Sequence, residues 1–113
     1  MMGKHVLMVL SNATEGGDAE FNDWYTNTHL GDVIKVRGFV AAQRYKLSEA
    51  QLGSGDLPYK YLAIYEVEAE DVADTAAALG EGASGSMYIS PALDRDRTVA
   101  WFYTPITERV SGP

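Results

Sequence analysis

Residues 59–67, YKYLAIYEV, have apolar side chains at nearly every position. Aromatic and β-branched residues favour strands, and successive side chains of a strand point to opposite faces of a sheet. One face of this predicted strand carries Tyr59, Tyr61, Ala63, Tyr65 and Val67. The other face carries Leu62 and Ile64. Because neither face is polar, we expect both faces of the sheet that contains this strand to be buried.

Three further segments have strand character. Residues 39–47, FVAAQRYKL, precede the first segment and are joined to it by a glycine-rich loop, which predicts a hairpin. Residues 4–12, KHVLMVLSN, form an apolar run of strand length near the start of the chain. Residues 98–105, TVAWFYTP, form the last predicted strand.

A helical pattern lies between the first two strands. Its aromatic and polar stripe, with spacings of three and four, contains Phe21, Trp24, Tyr25, Thr28 and His29. Asp18 is the predicted N-cap of this helix, and Gly31 is expected to loosen its end.

A second helix is predicted after the third strand. Its start is acidic, and Val72, Ala76 and Leu79 share one face, with Gly80 as the terminator. Residues 80–97 are predicted to form a long irregular excursion with one helical turn near Pro91.

The order strand, helix, strand, strand, helix, strand predicts an α+β fold. It is the βαββαβ pattern of a ferredoxin-like domain, with a four-stranded antiparallel sheet and two helices on one face. Residues 1–113 form a single domain in this interpretation, since 113 residues are about one domain's length. Two helices cover only one face of the sheet, so the other apolar face is expected to pack against a second copy. The prediction is a homodimer through the sheet face, a dimeric α/β barrel.

Composition excludes several classes of function. The formal net charge is −7 and the nine Lys and Arg residues are scattered, which argues against nucleic acid and anionic membranes as partners. There is no cysteine, so disulfides, thiolate nucleophiles and Cys-type zinc sites are excluded. The Asp and Arg residues of 94–97 alternate and neutralise each other, so we predict no metal site there. No apolar run is long enough for a signal peptide or a membrane helix, and a cytoplasmic location is expected.

Two histidines are the candidate catalytic groups. Histidine titrates near neutral pH, and His29 follows the aromatic stripe toward the sheet. His5 opens the first strand on the same face as Leu7, so both imidazoles are expected to border one space between helix and sheet. Each also has an alternative interpretation. His29 is typical of a cap or packing residue at a helix end, and His5 of a residue at a wet sheet rim.

The candidate substrate-binding residues are mostly aromatic: Tyr65, Tyr61, Arg44, Trp24, Tyr25 and Trp101. Tyr65, Tyr61 or Arg44 would donate a hydrogen bond to a substrate oxygen, and Trp24, Tyr25 and Trp101 would form an apolar wall. The tyrosines are equally typical of strand and core positions, and Arg44 of a pair with an acid at the sheet edge. The glycine-rich residues 80–90 would act as a lid. A phosphate-binding role for their GEGASG motif is weakly supported, because no strand precedes it.

A family resemblance follows from residues 21–45, FNDWYTNTHLGDVIKVRGFVAAQRY. This stretch resembles the signature region of EthD-like members of the dimeric α/β-barrel superfamily. Residues 4–10, KHVLMVL, resemble the first strand of stress-responsive barrel proteins and plant polyketide cyclases, in which a histidine borders the cavity. That match falls on His5. The resemblance implies a homodimer with one cavity per subunit and cofactor-free chemistry on small, often aromatic, oxygenated molecules.

The resulting hypothesis is a cofactor-independent enzyme that transfers protons. It would act as an isomerase, cyclase or aldol-type lyase on a small aromatic or carbonyl compound, with His29 as base and His5 as its partner. Two alternatives stay open: a non-catalytic dimeric module that binds a small hydrophobic ligand, and a cofactor-free monooxygenase.

Overall fold

A computed structural model describes residues 3–113 of the chain. Its strands are β1 (Gly3–Ser11), β2 (Phe39–Lys46), β3 (Tyr61–Ala69) and β4 (Val99–Tyr103). Its helices are α1 (Asp18–Trp24), α2 (Leu30–Ile34) and α3 (Val72–Ser84). A π-helical segment, Tyr25–His29, connects α1 to α2, and a 3₁₀ turn covers Arg95–Arg97.

The four strands form one antiparallel sheet in the order β2-β3-β1-β4. This is the ferredoxin-like arrangement, so the predicted α+β fold is confirmed. The predicted strand at residues 59–67 begins and ends two residues too early. A shift by two residues preserves the alternation of side chains, and for this reason the predicted faces of β3 are still correct.

One face of the sheet packs against the helices and forms the core. Leu7 of β1 lies opposite Tyr65 of β3 and Phe102 of β4, which places these three side chains on that face. The buried core residues from strands and helices include Leu7, Ala63, Tyr65 and Val67 together with Phe21, Trp24, Tyr25 and Val33. Most of the helical contribution comes from residues 18–34, because Thr75 is the only buried residue of α3.

The opposite face of the sheet is apolar and is called the open face here. Its apolar residues from β1, β3 and β4 are Val6, Met8, Leu10, Leu62, Ile64, Val99, Trp101 and Tyr103. Trp101 is 52% exposed and Tyr103 is 49% exposed. Within each strand, the alternation predicted that these side chains share a face. Glu66 and Glu68 extend the same face at one end of β3, and they are exposed.

The first helix departs from its prediction at both ends. Gly17 is the N-cap residue of α1 and Asp18 is its first residue, so the predicted N-cap is wrong by one position. The Asp18 carboxylate accepts hydrogen bonds from Lys60 and Tyr61 and is therefore not a cap. Gly31 lies within α2, so the helical path continues to Ile34.

The second helix is longer than predicted. Gly80 does not end α3, which runs to Ser84. A Cβ at Gly80 would meet only open space, so the position is a solvated helical glycine and not a C-cap. Only residues 85–90 of the predicted lid are irregular.

The segment after α3 contacts the residues that directly follow β1. Ala13 and Leu93 form an isolated bridge, and Asp94 N–H donates to the Asn12 carbonyl. The predicted helical turn near Pro91 is a single hydrogen-bonded turn, in which the Leu93 N–H donates to the Ser90 carbonyl, and a 3₁₀ turn follows at Arg95–Arg97. Within residues 3–113, no helix is both long enough and apolar enough to cross a membrane.

Candidate functional site

The first helix contains a π turn at the position of the candidate histidine. The N–H of Leu30 donates to the carbonyl of Tyr25, five residues earlier, so this turn holds one residue more than an α-helical turn. The extra residue leaves Thr28 exposed, and the prediction that Thr28 belongs to the buried stripe is wrong. Tyr25 and His29 stay in ring contact. Single π turns in α-helices are frequent at functional sites.

His29 is a partly buried imidazole between two aromatic rings. It stacks on Trp24 with ring centroids 4.4 Å apart and meets Tyr25 edge-on at 4.8 Å. Burial lowers the pKa of His29 from 6.5 to about 4, against the smaller opposing effect of the Asp32 carboxylate. The imidazole is therefore neutral at pH 7. Its Nδ1 is buried and has no hydrogen-bond partner in the part of the chain that the structure describes.

Tyr25, which contacts this imidazole, is hydrogen-bonded to a second buried tyrosine. The Tyr65 hydroxyl donates to the Tyr25 hydroxyl oxygen at 2.9 Å. Burial raises the pKa of both phenols, so both are protonated at neutral pH. In this arrangement Tyr25 accepts one hydrogen bond and keeps its own proton to donate.

Arg44 lies over the face of Tyr25, with its guanidinium carbon 4.6 Å from the ring centroid. It donates from Nη1 to Thr26 Oγ1 and from Nη2 to Asn22 Oδ1, both at 2.9 Å. These partners are neutral, so the structure does not show the pair with an acid that is typical of edge arginines. The positive charge also works against the rise in the pKa of Tyr25 that burial causes.

Tyr61 belongs to a neighbouring polar network. Its hydroxyl donates to Asp18 Oδ2 at 2.6 Å and accepts from Asn22 Nδ2 at 3.1 Å. Lys60 Nζ lies 3.1 Å from the same carboxylate oxygen. The hydrogen bond from Tyr61, followed by that from Lys60, lowers the pKa of Asp18. The Tyr61 proton is thus committed to Asp18, which argues against its predicted role as donor to a substrate oxygen.

His5 lies elsewhere. Its Nδ1 is 2.9 Å from Thr104 Oγ1, and it lines a cleft of about 1050 Å³ between one end of the sheet and the segment after β4. His29 does not line this cleft. The expectation that both imidazoles border one space is therefore wrong, because His5 lies opposite Val67 and next to Thr104, whereas His29 packs against Trp24 and Tyr25.

Trp101 is also separated from the cluster. It lies opposite Met8 on the open face, whereas Trp24 and Tyr25 lie in the core on the other side of the sheet. The alternation of β4 predicts this separation, because Trp101 and the helix-facing Phe102 are neighbours in sequence. Of the predicted wall, the structure brings together only Trp24 and Tyr25.

Some residues of the site were missed by the sequence analysis. Asn22 and Thr26 are spaced by four, and both accept from Arg44. Lys46 lies two residues after Arg44 on the same side of β2, next to a pocket of about 320 Å³. The spacing of four in the helix and of two in β2 shows that each pair of residues shares a side of its own element. It does not show that the helix and β2 are in contact. Within residues 3–113, no group of three or more His, Asp and Glu side chains is placed to hold a metal ion.

Solved structures provide the comparison for the fold. The heme degrader MhuD of Mycobacterium tuberculosis matches with a TM-score of 0.63 at 11% identity, covering 94% of this chain and 99% of its own. An EthD family protein of Bacillus halodurans matches with a TM-score of 0.56 at 14% identity, and the match covers 94% of this chain and 100% of that protein. A dimeric ferredoxin-like protein of Thermobifida fusca matches with a TM-score of 0.54 at 13% identity, and the match covers 92% of each chain. This chain has the ferredoxin-like fold that these proteins share.

At these identities the likeness concerns the fold alone, and it confirms the resemblance seen in residues 21–45 at that level. No protein-family model and no curated protein sequence matches the chain.

Proposed function

We propose that this protein is a cofactor-independent enzyme that moves a proton at a carbon atom next to a carbonyl group of a small aromatic or carbonyl compound. The observation that carries the proposal is the neutral His29, whose buried Nδ1 lacks a partner among residues 3–113 and whose ring contacts the ring of Tyr25, the tyrosine that accepts a hydrogen bond from Tyr65. Such a reaction needs a base that is unprotonated at neutral pH and a donor for the oxygen that becomes negative.

His29 is the proposed base. A neutral imidazole carries one proton and one lone pair on its two nitrogens. An N–H at Nδ1 would point into a buried space that offers no acceptor in the described chain, so the proton belongs on Nε2 and the lone pair on Nδ1. Nδ1 would remove the proton from the carbon atom of a bound compound. It would return that proton to another carbon or oxygen of the same molecule, which makes the reaction an isomerisation.

Tyr25 is the proposed donor to the enolate oxygen. Tyr65 holds the Tyr25 hydroxyl from the sheet side, which leaves the Tyr25 proton for the substrate oxygen. The Arg44 charge over the Tyr25 ring makes the phenol a stronger hydrogen-bond donor.

Access to Nδ1 would require a movement of the segment that covers Trp24. The Trp24 indole N–H donates to the Tyr88 carbonyl at 3.2 Å, and Tyr88 belongs to the irregular residues 85–90. Tyr88 is 58% exposed, so few contacts of its side chain oppose an outward movement. We propose that this segment, shorter than the predicted lid, opens to admit the substrate.

The open face supports a proposed homodimer. Large apolar side chains, among them Trp101, are half exposed there, and a soluble monomer rarely keeps such a continuous patch in water. A second copy packed face to face would cover the patch and leave His29, on the opposite side of the sheet, outside the interface.

The function is tested by deuterium incorporation. The protein in D₂O is incubated with a panel of aryl ketones, 1,3-diketones and unsaturated lactones, and the loss of protons next to the carbonyl is followed by ¹H NMR. At least one compound should exchange faster than in buffer. His29→Ala should abolish that excess, Tyr25→Phe should reduce it by about 10²-fold, and His5→Ala should leave it unchanged.

The controls separate chemistry from packing. Each variant is also unfolded in urea, and a His29→Ala protein that stays folded but inactive supports the base assignment. Exchange that persists in folded His29→Ala contradicts it. Saturable binding of a panel compound without any exchange would instead support the binding module, and oxygen consumption with a phenol would support the monooxygenase.

A further inference from the structure

Arg44 has an unusual charge environment. Its guanidinium is partly buried, and burial lowers its pKa. Both of its hydrogen-bond acceptors, Thr26 and Asn22, are neutral, and no carboxylate of the described chain lies within ion-pair distance. Buried charges in proteins are normally paired. The chain has sixteen acidic residues and a net charge of −7, so acids are plentiful, yet none of residues 3–113 forms an ion pair with Arg44.

The acid of the neighbouring network is already engaged. Asp18 accepts from both Tyr61 and Lys60 and forms its ion pair with Lys60, not with Arg44. The guanidinium is instead surrounded by aromatic rings, with centroids 4.6 Å away for Tyr25, 5.4 Å for Phe21 and 5.5 Å for Tyr61. Ring faces stabilise a cation only in part and leave its N–H donors without acceptors.

A pocket of about 320 Å³ opens at this point on the edge of the sheet. It is lined by Asn22, Arg44, Tyr45, Lys46 and Tyr61. Lys46 shares the helix-facing side of β2 with Arg44, so two positive charges border the same pocket. The volume is at the lower end of the range for small-molecule sites.

We propose that this pocket binds the carboxylate group of a small aromatic acid, with Arg44 as the main ligand and Lys46 as a second positive charge. A guanidinium has five N–H donors, of which Arg44 uses two on Thr26 and Asn22. The remaining donors provide the fork that a carboxylate accepts in bidentate form. Tyr61, which lies on the same side of the sheet as Arg44, lines the pocket, and its ring favours an aromatic body over an inorganic anion. The site does not include His29, so it goes beyond the proposed reaction.

Binding of benzoate tests this proposal. Benzoate is titrated into the full-length protein and followed by calorimetry and by two-dimensional ¹⁵N NMR, with benzamide as the uncharged analogue and inorganic phosphate as the alternative anion. We expect saturable benzoate binding, with benzamide and phosphate at least about tenfold weaker. Arg44→Gln should weaken benzoate binding by at least about tenfold and Lys46→Gln by about threefold. Lys60→Gln removes an exposed charge that Asp18 already pairs, and it should have no effect.

Several outcomes would overturn the proposal. One is equal binding of benzamide, and another is tighter binding of phosphate than of benzoate. A third is an unchanged benzoate affinity in folded Arg44→Gln. If Arg44→Gln does not fold, Lys46→Gln and the benzamide comparison decide in its place. His29→Ala should bind benzoate normally, so failure of the reaction and failure of this site are distinguishable.

Discussion

The indole of Trp24 and the imidazole of His29 lie nearly parallel, with an interplanar angle of 25° and ring centroids 4.4 Å apart. This contact removes water from one face of the imidazole. The Tyr25 ring packs against the same imidazole at nearly a right angle. Desolvation disfavours the charged form of the ring, so His29 is neutral in the folded protein over a wider pH range than in the unfolded chain. The consequences for stability can be measured without knowing a substrate.

The first prediction concerns pH-dependent stability. The folded pKa of His29, about 4, lies below the unfolded value of 6.5, so the unfolded chain binds more protons between these pH values. The free energy of unfolding should be highest above about pH 6.5, fall as the pH drops toward 4, and lose on the order of 2 kcal/mol from this group. Urea unfolding at several pH values measures the loss. His29→Gln should remove this part of the pH dependence and His5→Gln should not; an identical slope in wild type and His29→Gln would contradict the burial of the imidazole.

The second prediction concerns the tyrosine pair. Tyr65→Phe removes the donor to Tyr25 and should lower the free energy of unfolding by about 1 kcal/mol. Tyr25→Phe leaves the buried Tyr65 hydroxyl without an acceptor and should cost about 1–3 kcal/mol. In the double variant the two losses should be less than additive, because only one hydrogen bond is lost. Strict additivity in urea unfolding would show that the hydroxyls do not interact.

The third prediction compares two glycines. Gly38 has φ of +101°, and a Cβ there would collide with Thr75 of α3. Gly38→Ala should therefore destabilise the protein by at least about 1–2 kcal/mol. Gly80 lies in α3 with open space around it, so Gly80→Ala is the matched control and should stabilise by up to about 1 kcal/mol. Equal thermal midpoints for the two variants would contradict the close approach of Gly38 to α3.

The fourth prediction concerns the open face. Trp101→Glu places a charge within the proposed dimer interface and should convert the dimer to monomer in sedimentation velocity at micromolar concentration. Tyr88→Glu is the control, because Tyr88 is similarly exposed but lies in the segment that covers Trp24. A wild-type protein that sediments as a monomer would refute the proposed interface.

The fold was predicted from the periodicity of side chains within single segments. The two faces of β3 follow from the alternation of residues 61–69, and they remained correct although the predicted boundaries were shifted by two. The boundaries of the helices were less predictable. Gly31 and Gly80 continue their helices, because glycine in a helix has a modest cost that the surrounding structure offsets.

The sequence by itself determined the order of strands and helices, the apolar open face and the aromatic side chains around His29, because each depends on periodicity within one segment. The tertiary structure decided which of these groups meet. Tyr25 and Tyr65 are 40 positions apart, and Asp18 and Tyr61 are 43. The low pKa of His29 and the absence of an acidic partner for Arg44 within residues 3–113 also depend on how distant parts of the chain pack together. Desolvation and hydrogen bonding depend on distances in space, and the spacing of residues along one strand or helix does not contain them.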